Sequence, residues 1–197
     1  MKILLIALIS YLLGSFCASI PLSRRYCGGD VRLYGSKNAG ATNMARVYGL
    51  KAGLATLFLD VLKTVIAMLL GGYLMGEAGE AVAGAFCIIG HCFPLYFGFR
   101  GGKGVSVGAA LGLMTGPAEL GVIMAVFFAA AVMSRKVSLG SVLAAVSLPI
   151  ASWLMGAGKE MLIMNVFSAA LVVFRHRSNI SRLMSGTEPD FRPKKIG

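Results

Sequence analysis

From residue 3 to residue 22 the chain runs for 20 positions without a charged side chain. As a helix rising 1.5 Å per residue, about 20 apolar residues cross the hydrocarbon core of a bilayer. Further apolar runs follow at 52–73, 81–97, 105–115, 118–133, 137–155 and 161–174. The pattern predicts an all-α integral membrane protein, a compact bundle of about seven transmembrane helices. The run at 105–115 is too short for about 30 Å of hydrocarbon. It must start deep, tilt within protein, or form a re-entrant half-helix. Five spans are therefore the alternative, with the pair around Gly116 and Pro117 forming a re-entrant hairpin.

Composition supports the membrane reading. Of the 197 residues, 57% are hydrophobic and only 14% charged, with a mean hydropathy of +0.78. A soluble domain has about 25% charged residues. No separate soluble domain fits beside the spans, so residues 1–197 are expected to form a single transmembrane domain. A cleaved signal peptide is the competing reading of the first run, with Lys2 ahead and small residues near Ala18. The run exceeds the usual apolar region of about 7–15 residues, and no Ala-x-Ala-like site follows. A retained first helix is expected.

The net charge of +11 would suit nucleic acid, but the placement of the charges argues against it. Arg24, Arg25, Arg32, Lys37, Arg46 and Lys51 follow the first span, Arg100 and Lys103 the third, and Arg135 and Lys136 the fifth. Arg175, Arg177, Arg182, Arg192, Lys194 and Lys195 occupy the tail, which makes 16 of the 19 basic residues on one side of a seven-span chain. Glu77, Glu80, Glu119 and Glu160 fall in the opposite connections with Lys159. Positive residues stay in the cytoplasm. The N-terminus is therefore expected outside and the C-terminus in the cytoplasm, whichever odd number of spans holds. Cys17, Cys27, Cys87 and Cys92 show no disulfide framework and no Cys-x-x-Cys spacing, and read as small apolar residues.

Polar residues gather at the basic side. The connection after the first span is far longer than two antiparallel helices need, and long ordered loops are usually functional. Within it, "GSKNAGATN" places Gly35, Ser36, Asn38, Gly40, Thr42 and Asn43 together. Glycines let successive N–H groups converge into an anion-binding nest, and Ser, Asn and Thr add donors. Arg46, a turn beyond Thr42, offers a planar charged fork suited to phosphate. The plainer account is a turn with an N-cap at Thr42 or Asn43. The second cluster, "FRGGKGVS", leads straight into a helix start, where free N–H groups and the dipole favour an anion. It lacks the spacing of a Walker A loop, and a tight turn with two interfacial cations is its plainer account. In the tail, His176 and Asn179 would share one face of a continuing helix. The other histidine, His91, also lies at the basic end of a span. Ser138 reads as an N-cap, while Ser141 is deep enough to reach a ligand. Asp60 and Lys63 can pair at i, i+3 within a span, with a snorkelling Lys63 as the alternative. Glu188 is placed to anchor the tail to the basic loops. Together the clusters imply a phosphorylated substrate handled at the membrane interface.

At these residues the chain resembles the bacterial acyl-phosphate:glycerol-3-phosphate acyltransferase family. "GSKNAGATN" with Arg46, "GHCFPLYFGFRGGKGVS" and "HRSNISRLMSGTEP" carry the resemblance, which runs from the first span to Glu188. It implies a multi-pass inner-membrane enzyme with its active site facing the cytoplasm. An acyl phosphate would donate its acyl group to the sn-1 hydroxyl of glycerol 3-phosphate, giving lysophosphatidic acid and phosphate, the first step of bacterial phospholipid synthesis. The resemblance assigns glycerol 3-phosphate to Gly101, Gly102, Lys103 and Gly104, with Arg46, Ser141, His176 and Asn179 completing that site. It assigns acyl phosphate to Ser36, Asn38, Ala39, Gly40, Ala41, Thr42 and Asn43. Ser36, Arg46, His176 and Asn179 would be catalytic, with His91 a further candidate. No cofactor, metal, nucleic acid or obligatory protein partner is implied; the partners are the two substrates and the bilayer. Either His176 or the donor's own phosphate would take the hydroxyl proton.

Other classes fit less well. The soluble-type acyltransferase motif places Asp four residues after His, where this chain has Leu95 and Ile180. A CDP-alcohol phosphotransferase needs clustered aspartates, and Asp30, Asp60 and Asp190 lie far apart. A transporter built on repeats would show internal symmetry and midplane polar sites. The chain shows no repeat, and its polar clusters sit at one edge.

Overall fold

The structure is a computed structural model that describes residues 1–26 and 28–192. Cys27, and Lys194 and Lys195 of the tail, lie outside the described residues. Every regular element among the described residues is helical: α1 (Lys2–Ser15), α2 (Ser19–Tyr26), α3 (Ala41–Tyr48), α4 (Leu50–Cys92), α5 (Val105–Thr115), α6 (Pro117–Ser134), α7 (Val137–Leu154), α8 (Lys159–Arg175) and α9 (Arg177–Met184). Short 3-10 turns occupy Val31–Leu33 and Leu95–Phe97. The last four apolar runs become α5 to α8 with ends shifted by no more than two residues.

Two differences from the hydropathy pattern matter. The first run is not one helix: α1 stops at Ser15 and α2 begins at Ser19. The break comes from tertiary contacts. Lys63 Nζ donates to the carbonyls of Gly14 and Phe16 (3.0 and 2.9 Å), and Ser19 Oγ donates to Ala39 O (2.7 Å). The runs at 52–73 and 81–97 are the arms of α4, joined not by a loop but by two non-helical residues, Met75 and Gly76. Gly76 adopts φ 59°, ψ −150°, a region open essentially to glycine. The arms fold back antiparallel, with Cys87 Sγ on Thr64 Oγ1 (3.5 Å) and Gly71 against the Gly79 backbone. The second arm ends at Cys92 rather than Phe97, because Pro94 disfavours helix in the residue before it.

Four helical stretches (2–26, 50–97, 117–134 and 137–154) are long and apolar enough to cross a membrane. The core forms where α5 is enclosed, with Val107 and Leu111 packed among Met68, Ile88, Leu148, Met164 and Val172. Leu4, Phe58, Leu69, Phe128, Trp153 and Ile163 are exposed, the apolar outer surface expected of a protein solvated by lipid. Inside, Asn165 is fully buried and donates to Thr115 Oγ1 (3.0 Å) and Ser152 Oγ (2.9 Å), tying α5, α7 and α8 by polar contacts of the kind that hold helices in lipid. A shallow pocket gathers Gly76, Thr115 and Gly158, so the turns after α4's first arm, α5 and α7 lie at one end of the bundle. The three polar clusters meet at the other end.

Candidate active site

A cavity of about 580 Å3 opens at that end and continues between the helices. Its polar head holds Ser36, Asn38, Gly40, Ala41, Thr42 and Asn43 from the first loop and start of α3. Arg46, His91, Lys103, Ser141, His176 and Asn179 face it from α3, α4, the loop before α5, α7 and the α8–α9 junction. Residues from five separate segments therefore meet at one place. Below them the walls turn apolar, with Leu54, Leu57 and Val61 on α4, Gly108 and Leu113 on α5, Met124 and Phe127 on α6, and Ala145 and Leu148 on α7.

The first loop is folded around Asn43. Its Oδ1 accepts from Ser36 N (2.8 Å), and its Nδ2 donates to Val31 O, Tyr34 O and Asn38 O (3.1, 3.1 and 2.9 Å). Asn43, expected as a ligand-binding group, lines the cavity and also shapes the loop. The helix is capped earlier than either Thr42 or Asn43: Gly40 is the N-cap of α3 and makes no side-chain cap bond. The amides of Ala41 and Thr42 thus start the helix at the cavity rim, a ready anion site. Ala39, also expected among the ligand residues, points away and is buried against Cys17, Ile20 and Phe97.

An arginine that the sequence marks only as part of the basic side joins the first two clusters. Arg32 Nη1 donates to Phe97 O (2.7 Å) and Arg100 O (3.1 Å), while its Nε and Nη2 grip Asp30 (3.1 and 2.9 Å). That grip, chiefly the hydrogen bond from Arg32, holds the Asp30 carboxyl well below the usual carboxylate range. Nothing in the local sequence distinguishes Arg32 from the other basic residues of its loop.

In the second cluster Lys103 reaches the cavity, whereas Gly101, Gly102 and Gly104 are buried beneath its rim. Gly102 N donates to His91 O (3.0 Å), and a Cβ on Gly102 would overlap the His91 imidazole. Gly104 caps α5 at φ 85°. The glycines therefore serve close packing that lowers Lys103 into place. Lys103 Nζ hydrogen-bonds Asn179 Oδ1. Burial brings the ammonium from 10.5 down to about 8, with Glu188 opposing and neighbouring arginines adding.

The helix does not continue through the third cluster. His176 ends α8 at φ −96°, ψ 5° and α9 starts at Arg177, yet His176 and Asn179 still face one cavity. His176 Nδ1 lies 2.8 Å from Val172 O. A carbonyl can only accept, so Nδ1 carries the proton and Nε2 presents a lone pair. Burial lowers the imidazole to about 4, the Val172 bond opposing, so the ring is neutral near pH 7. Asn179 Nδ2 donates to Glu188 Oε1 (2.6 Å) and Arg182 Nε to Glu188 Oε2 (2.7 Å). Lys136 Nζ donates to Glu188 O (2.5 Å). Glu188 does anchor the tail, and Arg182, which sequence reasoning passed over, also lines the cavity one turn beyond Asn179. Ser138 is not an N-cap, since α7 is capped by Lys136; Ser141 Oγ donates back to Val137 O (2.8 Å), leaving its lone pairs toward the cavity. Arg46 lies 5.9 Å from the Phe191 ring centroid, at the rim.

Residues 4–186 match the sequence profile of glycerol-3-phosphate acyltransferases. The chain belongs to the glycerol-3-phosphate acyltransferase family. Similar relatives are the glycerol-3-phosphate acyltransferases of Desulfotalea psychrophila (41% identical, covering 95% of this chain and 97% of the relative) and Thermoanaerobacter pseudethanolicus (41%, 95% and 95%). The fold matches the crystal structure of PlsY (YgiH), an integral membrane glycerol 3-phosphate acyltransferase, in its glycerol 3-phosphate form. The TM-score is 0.92 at 33% identity, over 98% of this chain and 96% of that one. The lysophosphatidic acid form matches at 0.89 and 32%, with the same coverage. The protein is thus a membrane acyltransferase of phospholipid biosynthesis. For a glycerol-3-phosphate acyltransferase the cavity is apt: a polar, cationic head over an apolar shaft suits a phosphorylated headgroup and an acyl chain. Among the described residues its one lining carboxylate, Glu188, is hydrogen-bonded by Arg182 and Asn179 rather than by Lys103.

Proposed function

We propose that the enzyme transfers an acyl group from an acyl phosphate to the sn-1 hydroxyl of glycerol 3-phosphate, releasing lysophosphatidic acid and inorganic phosphate. The observation that carries this reading is the meeting of the first loop with Lys103 of the second in one cavity that continues into an apolar groove. A donor with its own phosphate needs a second anion site, and the α3 amides with Ser36 and Thr42 supply it. The acceptor's phosphate sits on Lys103 and Arg46, with Asn179 fixing the Lys103 head. Its hydroxyl donates to the His176 Nε2 lone pair, which orients the oxygen toward the donor carbonyl.

Attack by the hydroxyl oxygen forms the new ester C–O bond, the bond from the carbonyl carbon to the bridging phosphate oxygen breaks, and the donor's phosphate leaves as hydrogen phosphate. The hydroxyl proton ends on that phosphate. A ring lowered to about 4 is too weak a base to keep it, so His176 guides the proton rather than storing it. The α3 amides and Arg46 stabilise the developing oxyanion, usually the largest contribution in acyl transfer. An acyl phosphate is already activated, so the reading needs no cofactor, metal or protein partner.

The same reading takes residues 1–197 as one inner-membrane domain with seven crossings, N-terminus outside and active site cytoplasmic. Its support is the grouping of the Gly76, Thr115 and Gly158 turns at the end opposite the basic loops. That grouping favours a full crossing by the short α5 over a re-entrant hairpin. α5 is spared lipid thickness by its central position in the bundle.

The test uses purified protein in detergent with palmitoyl phosphate and sn-glycerol 3-phosphate, following phosphate and lysophosphatidic acid by mass spectrometry, with palmitoyl-CoA in parallel. Equimolar phosphate and lysophosphatidic acid from the acyl phosphate alone is the expected result. Product from the CoA ester alone would overturn the donor assignment.

A further inference from the structure

Asp60 and Lys63 carry opposite charges inside the first arm of α4, and His91 closes on them from the second. They are 1%, 7% and 1% exposed, so none snorkels to the interface. Lys63 Nζ has four acceptors in reach: Gly14 O (3.0 Å), Phe16 O (2.9 Å), Asp60 Oδ1 (2.9 Å) and His91 Nδ1 (3.2 Å). An ammonium has three protons, so these contacts share a saturated donor. The group locks the end of α1 to both arms of the hairpin. Ion pairs are costly in lipid, and apolar residues hold a helical hairpin as well. A further role is therefore called for.

What lies above His91 supplies it. Gly102 sits on the imidazole so closely that even a methyl group would overlap Nε2, and its N–H donates to His91 O (3.0 Å). Cys17 Sγ donates to the same carbonyl (3.6 Å). From the other side Arg175 holds Gly102 O through Nη2 (3.1 Å) and Nε (3.3 Å). The next residue is Lys103, whose head enters the cavity. We infer that Asp60, Lys63 and His91 form a positioning network, in which the ion pair fixes the imidazole and the imidazole sets the height of the Gly101–Gly102–Lys103 loop for glycerol 3-phosphate. The inference rests on the assignment of this loop to glycerol 3-phosphate.

The experiment measures KM for each substrate and kcat by phosphate release from the full-length enzyme in detergent. His91→Ala and Gly102→Ala are each expected to raise the KM for glycerol 3-phosphate about tenfold, with that for palmitoyl phosphate within about twofold. The pair is expected to couple: in His91→Ala/Gly102→Ala the new methyl enters the vacated space, and the double variant falls well short of the product of the single effects. Asp60→Asn/Lys63→Met, which leaves no unpaired charge, raises the same KM while remaining folded. Independent effects, equal changes in both KM values, or loss confined to thermal stability would overturn the network. Lys103→Met, assayed in parallel, separates the two claims. If it leaves the glycerol 3-phosphate KM unchanged while His91 and Gly102 couple in the KM of the acyl phosphate, the loop's ligand is misassigned and the positioning role stands.

Discussion

Replacing Lys103 by Met keeps most of the apolar stem of the side chain and removes its charge and donors. Lys103 Nζ is bonded to a neutral amide oxygen, and the cavity's carboxylate is engaged elsewhere, so its charge is available to an incoming phosphate. A charge-assisted hydrogen bond contributes about 1.5–3 kcal/mol, which corresponds to a rise of roughly 10- to 150-fold in the KM for glycerol 3-phosphate. With the acyl phosphate proposed at the α3 amides, its KM is expected to stay within about twofold of the parent. The same residue sets a pH dependence. Its ammonium loses its proton near pH 8, so kcat/KM for glycerol 3-phosphate declines on the alkaline side. At about one pH unit above that value only about a tenth of the enzyme retains the charge. In Lys103→Met this alkaline limb disappears and the low value persists across the range. Initial rates of phosphate release at saturating palmitoyl phosphate, from pH 6.5 to 9.5 (about three units spanning the transition), measure both effects. A KM within about twofold of the parent, or an alkaline limb that survives the substitution, refutes the assignment.

Three further outcomes follow from the geometry. His176→Ala lowers kcat by roughly 10- to 100-fold with little change in either KM, while the parent's kcat stays flat from about pH 6 to pH 8 because the ring is already neutral; a limb near pH 6.5 in the parent would contradict the lowering of the ring by burial. Asn43→Ala leaves the Ser36 amide and three loop carbonyls without their partner and destabilises the fold by about 2–4 kcal/mol, read as a lowered melting temperature in detergent. Gly108→Leu projects a side chain into the apolar shaft, where a Cβ at Gly108 meets no atom within 4 Å. The expected result is lower kcat/KM for palmitoyl phosphate relative to lauroyl phosphate, from paired assays of the two donors.

Helix positions were legible in the sequence because lipid imposes one requirement on every span, an uninterrupted apolar run. α5 to α8 follow their runs closely, and the clusters of Ser36, Lys103 and His176 do meet. What hydropathy could not convey was interruption by distant partners. The break after Ser15 depends on Lys63, 49 and 47 residues away from the carbonyls it binds. Residue type also failed to separate ligand groups from scaffold. Asn43 and Thr42 look alike as donors, but only the packing shows that Asn43 also shapes the loop. Gly102 has no chemistry of its own; its fit on His91 becomes visible only in three dimensions. Arg32, the link between the loops, carried no local signal at all.

The walls of the cavity have a kinetic corollary. α4 packs chiefly on α1, α3, α5 and α8, and α6 chiefly on α5 and α7, so α5 bridges the α4 and α6 walls. Leu54, Leu57 and Phe128 belong both to the shaft and to the exposed outer surface. An acyl chain entering sideways between them never meets water, avoiding about 0.8 kcal/mol per methylene. For such an enzyme the operative concentration of donor is its mole fraction in the bilayer, not its amount per litre. With glycerol 3-phosphate held at a fixed saturating concentration, diluting proteoliposomes with buffer would leave turnover per enzyme unchanged, whereas diluting the donor with inert lipid would slow it.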